Sequence, residues 1–323
     1  MAYSRITGTG SYLPAKVLTN LDFEKMVETT GQWIEERTGI KQRHIADSSE
    51  TTCDLAEQAA REAIKAANIR PEQIDLIILA TTTPDRIFPS TACLLQQRLG
   101  LTHACPAFDI QAVCTGFIYA MSIADQFIRT GHSRCVLVIG AETLSRIIDW
   151  KDRNTCVLFG DGAGAVILQA SATQGIYSSH LHADGQYEHL LTVPGGVSQG
   201  YEALTRGELY LQMKGSEVFK KAVNALGDLV DETLQANQIS QDQITWLVPH
   251  QANIRIIAAT AKRLNLSMDQ VVVTVDRHGN TSAASVPLAL DTAVKDGRIK
   301  TGDLLLLEAF GGGFTWGSLL VKF

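Results

Sequence analysis

The chain has 323 residues, 45% apolar and 19% charged, the composition of a globular protein large enough to bury a substantial core. Its net charge of −6 argues against bulk attraction to nucleic acid, so an anionic partner needs a local basic face. No window approaches an uncharged apolar membrane span, which argues against a membrane protein.

The N-terminal MAYSRITGTG lacks the apolar core of a signal peptide, so the expected location is cytoplasmic, or a plastid stroma after loss of a transit peptide. A chain this long buries about 75% of its unfolded surface and tends to split into two domains or two repeats. The six cysteines (Cys53, Cys93, Cys105, Cys114, Cys135 and Cys156) form no CxxC pair, which argues against a zinc site. A reducing compartment argues against disulfides as well.

In chain order, the first clear signal is IRPEQIDLII (Ile69–Ile78), a helix end running into a buried strand. DIQAVCTGFIYAM (109–121) follows the same logic, and places Cys114 where a strand-like run meets a helix start. Unpaired N–H groups and the helix dipole favour negative charge there, which can lower a thiol pKa enough to supply thiolate at neutral pH. The helix after Cys114 has almost no polar face until Asp125, so it is expected to be buried between layers. Cys135 opens the strand CVLVIGAE; with Cys105 and Cys156 it is assigned to packing.

GDGAGA (160–165) matches the dinucleotide fingerprint G-x-G-x-x-A, but AVILQA after it reads as strand rather than helix. A close backbone crossing is the better reading, and no P-loop motif occurs. A seam is expected near Ser171, giving halves 1–171 and 172–323, the second opened by a less regular insert from Thr173 to Gly200. ISQDQITWLV (Ile239–Val248) then repeats IRPEQIDLII 170 residues on. LLLEAFG (305–311) similarly repeats VLVIGAE (136–142), and GGGFTWGSLLV (311–321) repeats GDGAGAVIL (160–168). Three matches in the same order predict a duplicated α/β unit.

WLVPHQANIRIIAATAKRL (246–264) puts His250 just past a buried strand, where α/β folds place ligand sites. Ile254, Ile257, Ala261 and Leu264 form the apolar stripe of the following helix, with Arg255, Lys262 and Arg263 on the opposite face. DRHGNTSAASVPLAL (276–290) sets Asn280 in a turn before another small-residue helix start. An offset of 170 lays Ala284 on Cys114, so Cys114, His250 and Asn280 are expected to converge near an internal pseudo-twofold axis.

DIQAVCTGF, LVPHQANIRI, DRHGNTSAASVP and EAFGGGFTWGSLLVKF together resemble β-ketoacyl-acyl-carrier-protein synthase III, the initiating condensing enzymes of type II fatty-acid synthesis in the thiolase superfamily. The resemblance runs from the N-terminal strand to Phe323 and implies a thiolase-like five-layered αβαβα fold of two duplicated halves and a homodimer. It implies a Cys-His-Asn triad at Cys114, His250 and Asn280, with Cys114 the acyl-accepting nucleophile. Elongating synthases of the superfamily use two histidines, where this chain has Asn280; biosynthetic thiolases need a second cysteine in the C-terminal Gly-rich loop, where this chain has Gly311–Gly313. Plant-type polyketide synthases share the triad but lack the GNTSAAS context.

The implied reaction is acyl transfer from acetyl-CoA to Cys114, then decarboxylative condensation with malonyl-acyl-carrier protein, with no metal or redox cofactor. Backbone N–H groups of Cys114 and Gly312 would form the oxyanion hole. For CoA, the family match points to Trp33 and Arg153 around the adenine, Arg37 at the phosphates and Asn253 along the pantetheine tunnel. Phe88 would reach into the neighbouring subunit's acyl pocket and restrict primers to short chains. Arg255 matches a carrier-contacting position; with Lys262, Arg263 and Lys220 it would form the basic face that docks an acidic acyl-carrier protein. The competing readings are a related synthase acting on CoA alone and a non-enzymatic interaction protein.

Overall fold

The structure is a computed structural model that describes residues 2–200, 202 and 210–323. Its first sheet is built from β1 (Tyr3–Tyr12), β2 (Leu76–Ala80), β3 (Ala107–Ile110), β4 (Cys135–Glu142) and β5 (Gly162–Ser171), in the order β1-β5-β4-β2-β3. β2 runs parallel to both β3 and β4, and every residue of β2 and β4 is buried. Parallel strands covered on both faces read as unbroken apolar runs, which is why LIILA and CVLVIGAE stand out in the sequence.

The second sheet comprises β6 (Ile176–Ala183), β7 (Trp246–Pro249), β8 (Leu304–Gly311) and β9 (Thr315–Lys322), ordered β6-β9-β8-β7. Strand for strand this follows the first sheet, and the counterpart of β3 shrinks to a single bridge between Leu247 and Val271. The stretch from Thr173 is more regular than expected, because β6 pairs antiparallel with β9. It escapes notice in the sequence because its residues are half-buried and polar: His180 and His182 share the Glu232 carboxylate at 3.2 and 2.7 Å.

Helices complete five layers. α1 (Thr52–Ala66) and α2 (Thr91–Arg98) cover the outer face of the first sheet, and α3 (Gly116–Arg129) lies between the sheets. α4 (Gly215–Asn237) and α5 (Ile254–Arg263) cover the second sheet, and α6 (Ser285–Lys295) accompanies α3 in the central layer. Thr51 and Asp54 form a capping box that starts α1. Phe117, Ile118, Met121, Ala124 and Ile128 of α3 pack into the central core, each large side chain contributing about 1.5–3 kcal/mol of burial. Asp125 is no exposed stripe: it is buried and accepts a hydrogen bond from Ser4 at 2.5 Å.

GDGAGA enters strand β5, and Gly164 is where α6 crosses: a Cβ there would stand 2.7 Å from the Leu288 nitrogen. The internal repeat slips by one residue. IRPEQ and ISQDQ keep the offset of 170, with single helical turns at Pro71–Gln73 and Gln241–Gln243. At the central helix starts the matching turns are Val113–Thr115 and Ser282–Ala284, so Ala283, not Ala284, is the counterpart of Cys114. The second half is one residue shorter between β7 and its central helix than the offset assumes.

Candidate active site

Cys114 sits in one tight turn between β3 and α3 and is only 4% exposed. The residue before it, Val113, has φ +49°, a conformation that is strained for a β-branched side chain and is held by its surroundings. Those surroundings reach across the molecule. The Thr115 hydroxyl donates to the Thr315 carbonyl at 3.0 Å, and the Thr315 hydroxyl donates to the Ala112 carbonyl at 3.0 Å. Gly311 lies directly against the nucleophile turn, since a Cβ there would stand 2.7 Å from the Cys114 nitrogen.

His250 follows β7, and its backbone N–H donates to the Glu308 carbonyl of β8 at 2.8 Å. Asn280 is clamped on both sides: its N–H donates to Leu158 O at 2.9 Å, and its carbonyl accepts from Gly160 N–H at 3.0 Å. Its side-chain oxygen accepts from Ser282 N–H at 3.0 Å, which leaves the amide NH₂ as the group free to face a ligand. Cys114, His250 and Asn280 line one cavity of about 570 Å³. Phe310, Leu226 and Ala222 supply much of its apolar wall.

Electrostatics at the site differ from the expectation of a ready thiolate. Burial pushes the Cys114 thiol up to about 12, the Ser282 hydroxyl opposes that rise, and the negative charge of Glu142 adds to it. Burial likewise pulls His250 down to about 4, so its imidazole is neutral at pH 7. Desolvation outweighs the helix start here, and the resting pair is a thiol beside a neutral imidazole. Cys105, Cys135 and Cys156 are buried with raised pKa values, in keeping with packing.

The other expected site residues fall into three groups. Trp33, Arg37 and Asn253 line the same cavity as the three central residues. Trp33 carries the Arg153 guanidinium 5.3 Å from its ring centroid on one approach and that of Arg37 at 5.8 Å. Asn253 also caps α5 through Arg255 N–H and donates to the Arg37 carbonyl at 3.0 Å, tying the two segments together. Lys220 and Arg255 stand at the cavity wall, with the Arg255 guanidinium 5.1 Å from the Phe219 ring centroid. Lys262 is exposed further along α5, and Arg263 is bound to Asp231, so the four cations do not form one free patch. Gly312 is buried beside Leu191 and Val113, and Phe88 projects elsewhere, 83% exposed.

Two neighbours of the site went unread in the sequence. Glu142 ends β4 fully buried, and Ser282 contacts both it and Asn280. The one available signal was an acidic residue closing an otherwise apolar strand. A larger cavity, about 810 Å³, opens at the amino ends of β2 and β4, lined by Arg5, Gln73, Asp75 and Arg134. It contains none of the nucleophile, imidazole or amide groups. Among the described residues no group of three or more His, Cys, Asp or Glu could hold a metal ion, and no helix is long and apolar enough to cross a membrane.

Comparison with known proteins identifies the family. Residues 108–185 match the family model of 3-oxoacyl-[acyl-carrier-protein (ACP)] synthase III, and residues 234–323 match that of its C-terminal part. The chain is 68% identical to the β-ketoacyl-[acyl-carrier-protein] synthase III of Thioalkalivibrio sulfidiphilus, covering 100% of both chains. It is 60% identical to that of Alkalilimnicola ehrlichii, again over 100% of both. The crystal structure of the Aquifex aeolicus 3-oxoacyl-[acyl-carrier-protein] synthase III superposes with a TM-score of 0.92 at 48% identity, covering 99% of this chain and 100% of that one. Related at this level over its full length, the chain belongs to the β-ketoacyl-[acyl-carrier-protein] synthase III family.

Proposed function

We propose that Cys114 is the acyl acceptor of this initiating condensing enzyme and that His250 and Asn280 stabilise the enolate of the second substrate. The observation that carries the reading is the fixed Asn280 amide, whose NH₂ is left beside a neutral His250 in the cavity that also holds Cys114. Cys114 sulfur attacks the acetyl-CoA thioester, its proton passes by way of His250 to the departing CoA thiolate, and an acetyl-enzyme remains. Backbone N–H groups of Cys114 and Gly312 hold the oxyanion, each such donor contributing roughly 3 kcal/mol. Malonyl-acyl-carrier protein then loses CO₂. The electron pair of the broken C–C bond becomes an enolate, whose oxygen accepts hydrogen bonds from His250 and Asn280. Its carbon attacks the acetyl group, breaks the bond to Cys114 sulfur and gives acetoacetyl-acyl-carrier protein, and the released thiolate takes up a proton from solvent to restore the thiol. The electrons are all supplied by thioester and decarboxylation chemistry, so neither a metal nor a redox cofactor is required.

The CoA nucleotide is held at the mouth by Trp33, Arg37 and Arg153, with Asn253 along the pantetheine arm. Because Arg153 already lies over Trp33, an adenine stacked between them displaces that guanidinium outward. A homodimer is supported by the edge strand β3 and by exposed Ile87 and Phe88, apolar side chains that a partner subunit would cover. Lys220, Arg255 and Lys262 receive the carrier protein, Arg263 contributing less because Asp231 already holds it, and the enzyme works in the cytoplasm.

Brief incubation with radiolabelled acetyl-CoA should place label on the Cys114 peptide. Cys114→Ala should acquire none, while Cys135→Ala and Cys156→Ala label normally. Equal labelling of Cys114→Ala removes the assignment.

A further inference from the structure

Glu142 has no step in the chemistry above, yet it is a fully buried carboxyl beside the nucleophile. Burying a carboxyl is costly unless donors surround it, and here they come from two separate parts of the chain. From the loop after β2, Thr82 donates its N–H at 3.1 Å and its hydroxyl at 3.0 Å, and the Thr83 hydroxyl donates at 2.6 Å. From the other half, the Ser282 hydroxyl donates to Glu142 Oε1 at 3.2 Å.

Ser282 is the linking group. Its φ of +48° is strained, and that conformation turns its N–H to Asn280 Oδ1 while its hydroxyl donates to Glu142. A group that only filled space at a strand end would need neither a carboxyl nor this chain of contacts to Asn280.

We propose that Glu142 is a positioning residue for the condensation, acting through Ser282 on the Asn280 amide. The proposal rests on the role assigned to Asn280 above. Through the Ser282 hydroxyl, the carboxyl braces the turn whose N–H keeps the Asn280 NH₂ facing the cavity.

The separation of the two half-reactions gives the test. Wild type, E142Q and S282A are compared in acetyl labelling of Cys114 and in malonyl decarboxylation. Both variants should decarboxylate about tenfold more slowly while acetyl labelling stays within about threefold, since an unbraced Asn280 donor fails only at the enolate. In an Asn280→Ala background neither change should slow decarboxylation further, because the brace then has no amide to hold. Unchanged decarboxylation, equal loss in both half-reactions, or a further loss on top of Asn280→Ala would overturn the proposal. Should E142Q fail to fold, S282A decides alone: slower decarboxylation with normal labelling supports the role, and an unchanged rate refutes it. Normal decarboxylation by Asn280→Ala itself would instead sink the underlying assignment. A slowed Asn280→Ala beside unaltered E142Q and S282A sinks only the role of Glu142.

Discussion

Val113 and Ser282 occupy equivalent positions at the starts of the two central helices, and both are held in the left-handed region, at φ +49° and +48°. The same strained turn is used twice for different ends. In the first half it presents the Cys114 sulfur; in the second, where Ala283 replaces the cysteine, it fixes Asn280. One pseudo-symmetric frame thus carries a nucleophile on one side and a hydrogen-bond donor on the other.

This division of labour separates the two half-reactions. His250→Ala and Asn280→Ala should each lower malonyl decarboxylation by about 10²–10³-fold, the usual effect of deleting a donor to a developing oxyanion. Acetyl transfer to Cys114 should fall less, within about tenfold for Asn280→Ala; His250→Ala loses more because its imidazole carries the thiol proton. Rapid-quench measurement of each step checks this, and decarboxylation that survives both changes would remove the enolate role.

Phe88 is 83% exposed, far more than a large ring requires unless something covers it. Replacing it with Thr should raise activity with longer acyl-CoA primers relative to acetyl-CoA by about tenfold, provided the ring closes a partner's acyl pocket. Competition between acetyl- and longer acyl-CoA gives the ratio directly. An unchanged primer profile in a correctly assembled dimer would leave Phe88 as an interface residue alone.

Glu308 yields a stability prediction. It is fully buried on β8, neither side-chain oxygen has a hydrogen-bond partner among the described residues, and burial pushes its pKa up to about 8. A raised folded pKa means that the neutral form is the one compatible with the fold. Its contribution is complete below the unfolded value near 4.5 and is lost as pH rises through about 8. Wild type should therefore lose about 2 kcal/mol relative to Glu308→Gln between roughly pH 6.5 and pH 9. Thermal unfolding of both proteins at the two pH values measures the difference, and parallel curves would show that the carboxyl is solvated or paired.

Much of the frame was legible because buried parallel strands and an all-apolar central helix leave unmistakable runs, and because the duplicated LII and LLLE stretches repeat them. The one-residue slip that moves the counterpart of Cys114 from Ala284 to Ala283 shows in the sequence only as the spacing of 169 between VLVIGAE and LLLEAFG, against 170 for the earlier repeat, and a single offset applied throughout passes over it. Strand β6 was hidden by its polar, half-buried face. Cys114, His250 and Asn280 could be found from motifs, whereas Glu142 and Ser282 are recognisable only once two distant segments meet. The Cys114 pKa was misjudged for the same reason: a helix start is local, but desolvation comes from the whole surrounding fold.

The last prediction concerns how a chain of net charge −6 meets an acidic carrier protein. Like charges slow such encounters unless the docking point is locally basic. Of the four cations expected to serve, Lys220 and Arg255 line the cavity, and Arg255 rests over the ring of Phe219. Arg263 is already bound to Asp231, so much of its field is cancelled before a partner arrives. The substitutions should therefore rank. Arg255→Glu should weaken use of malonyl-acyl-carrier protein by about tenfold in kcat/KM, and Arg263→Glu by clearly less. Acetyl labelling of Cys114 should stay within about twofold in both, because the first half-reaction uses no carrier. Raising ionic strength should depress wild-type condensation more than acetyl labelling, since exposed charges are screened within about 8 Å at physiological salt. Steady-state rates with carrier-bound and CoA-bound substrates at two salt concentrations decide the matter. Equal damage to both substrates would locate the effect of Arg255 in the catalytic cavity, and equal effects of Arg255→Glu and Arg263→Glu would contradict the ranking.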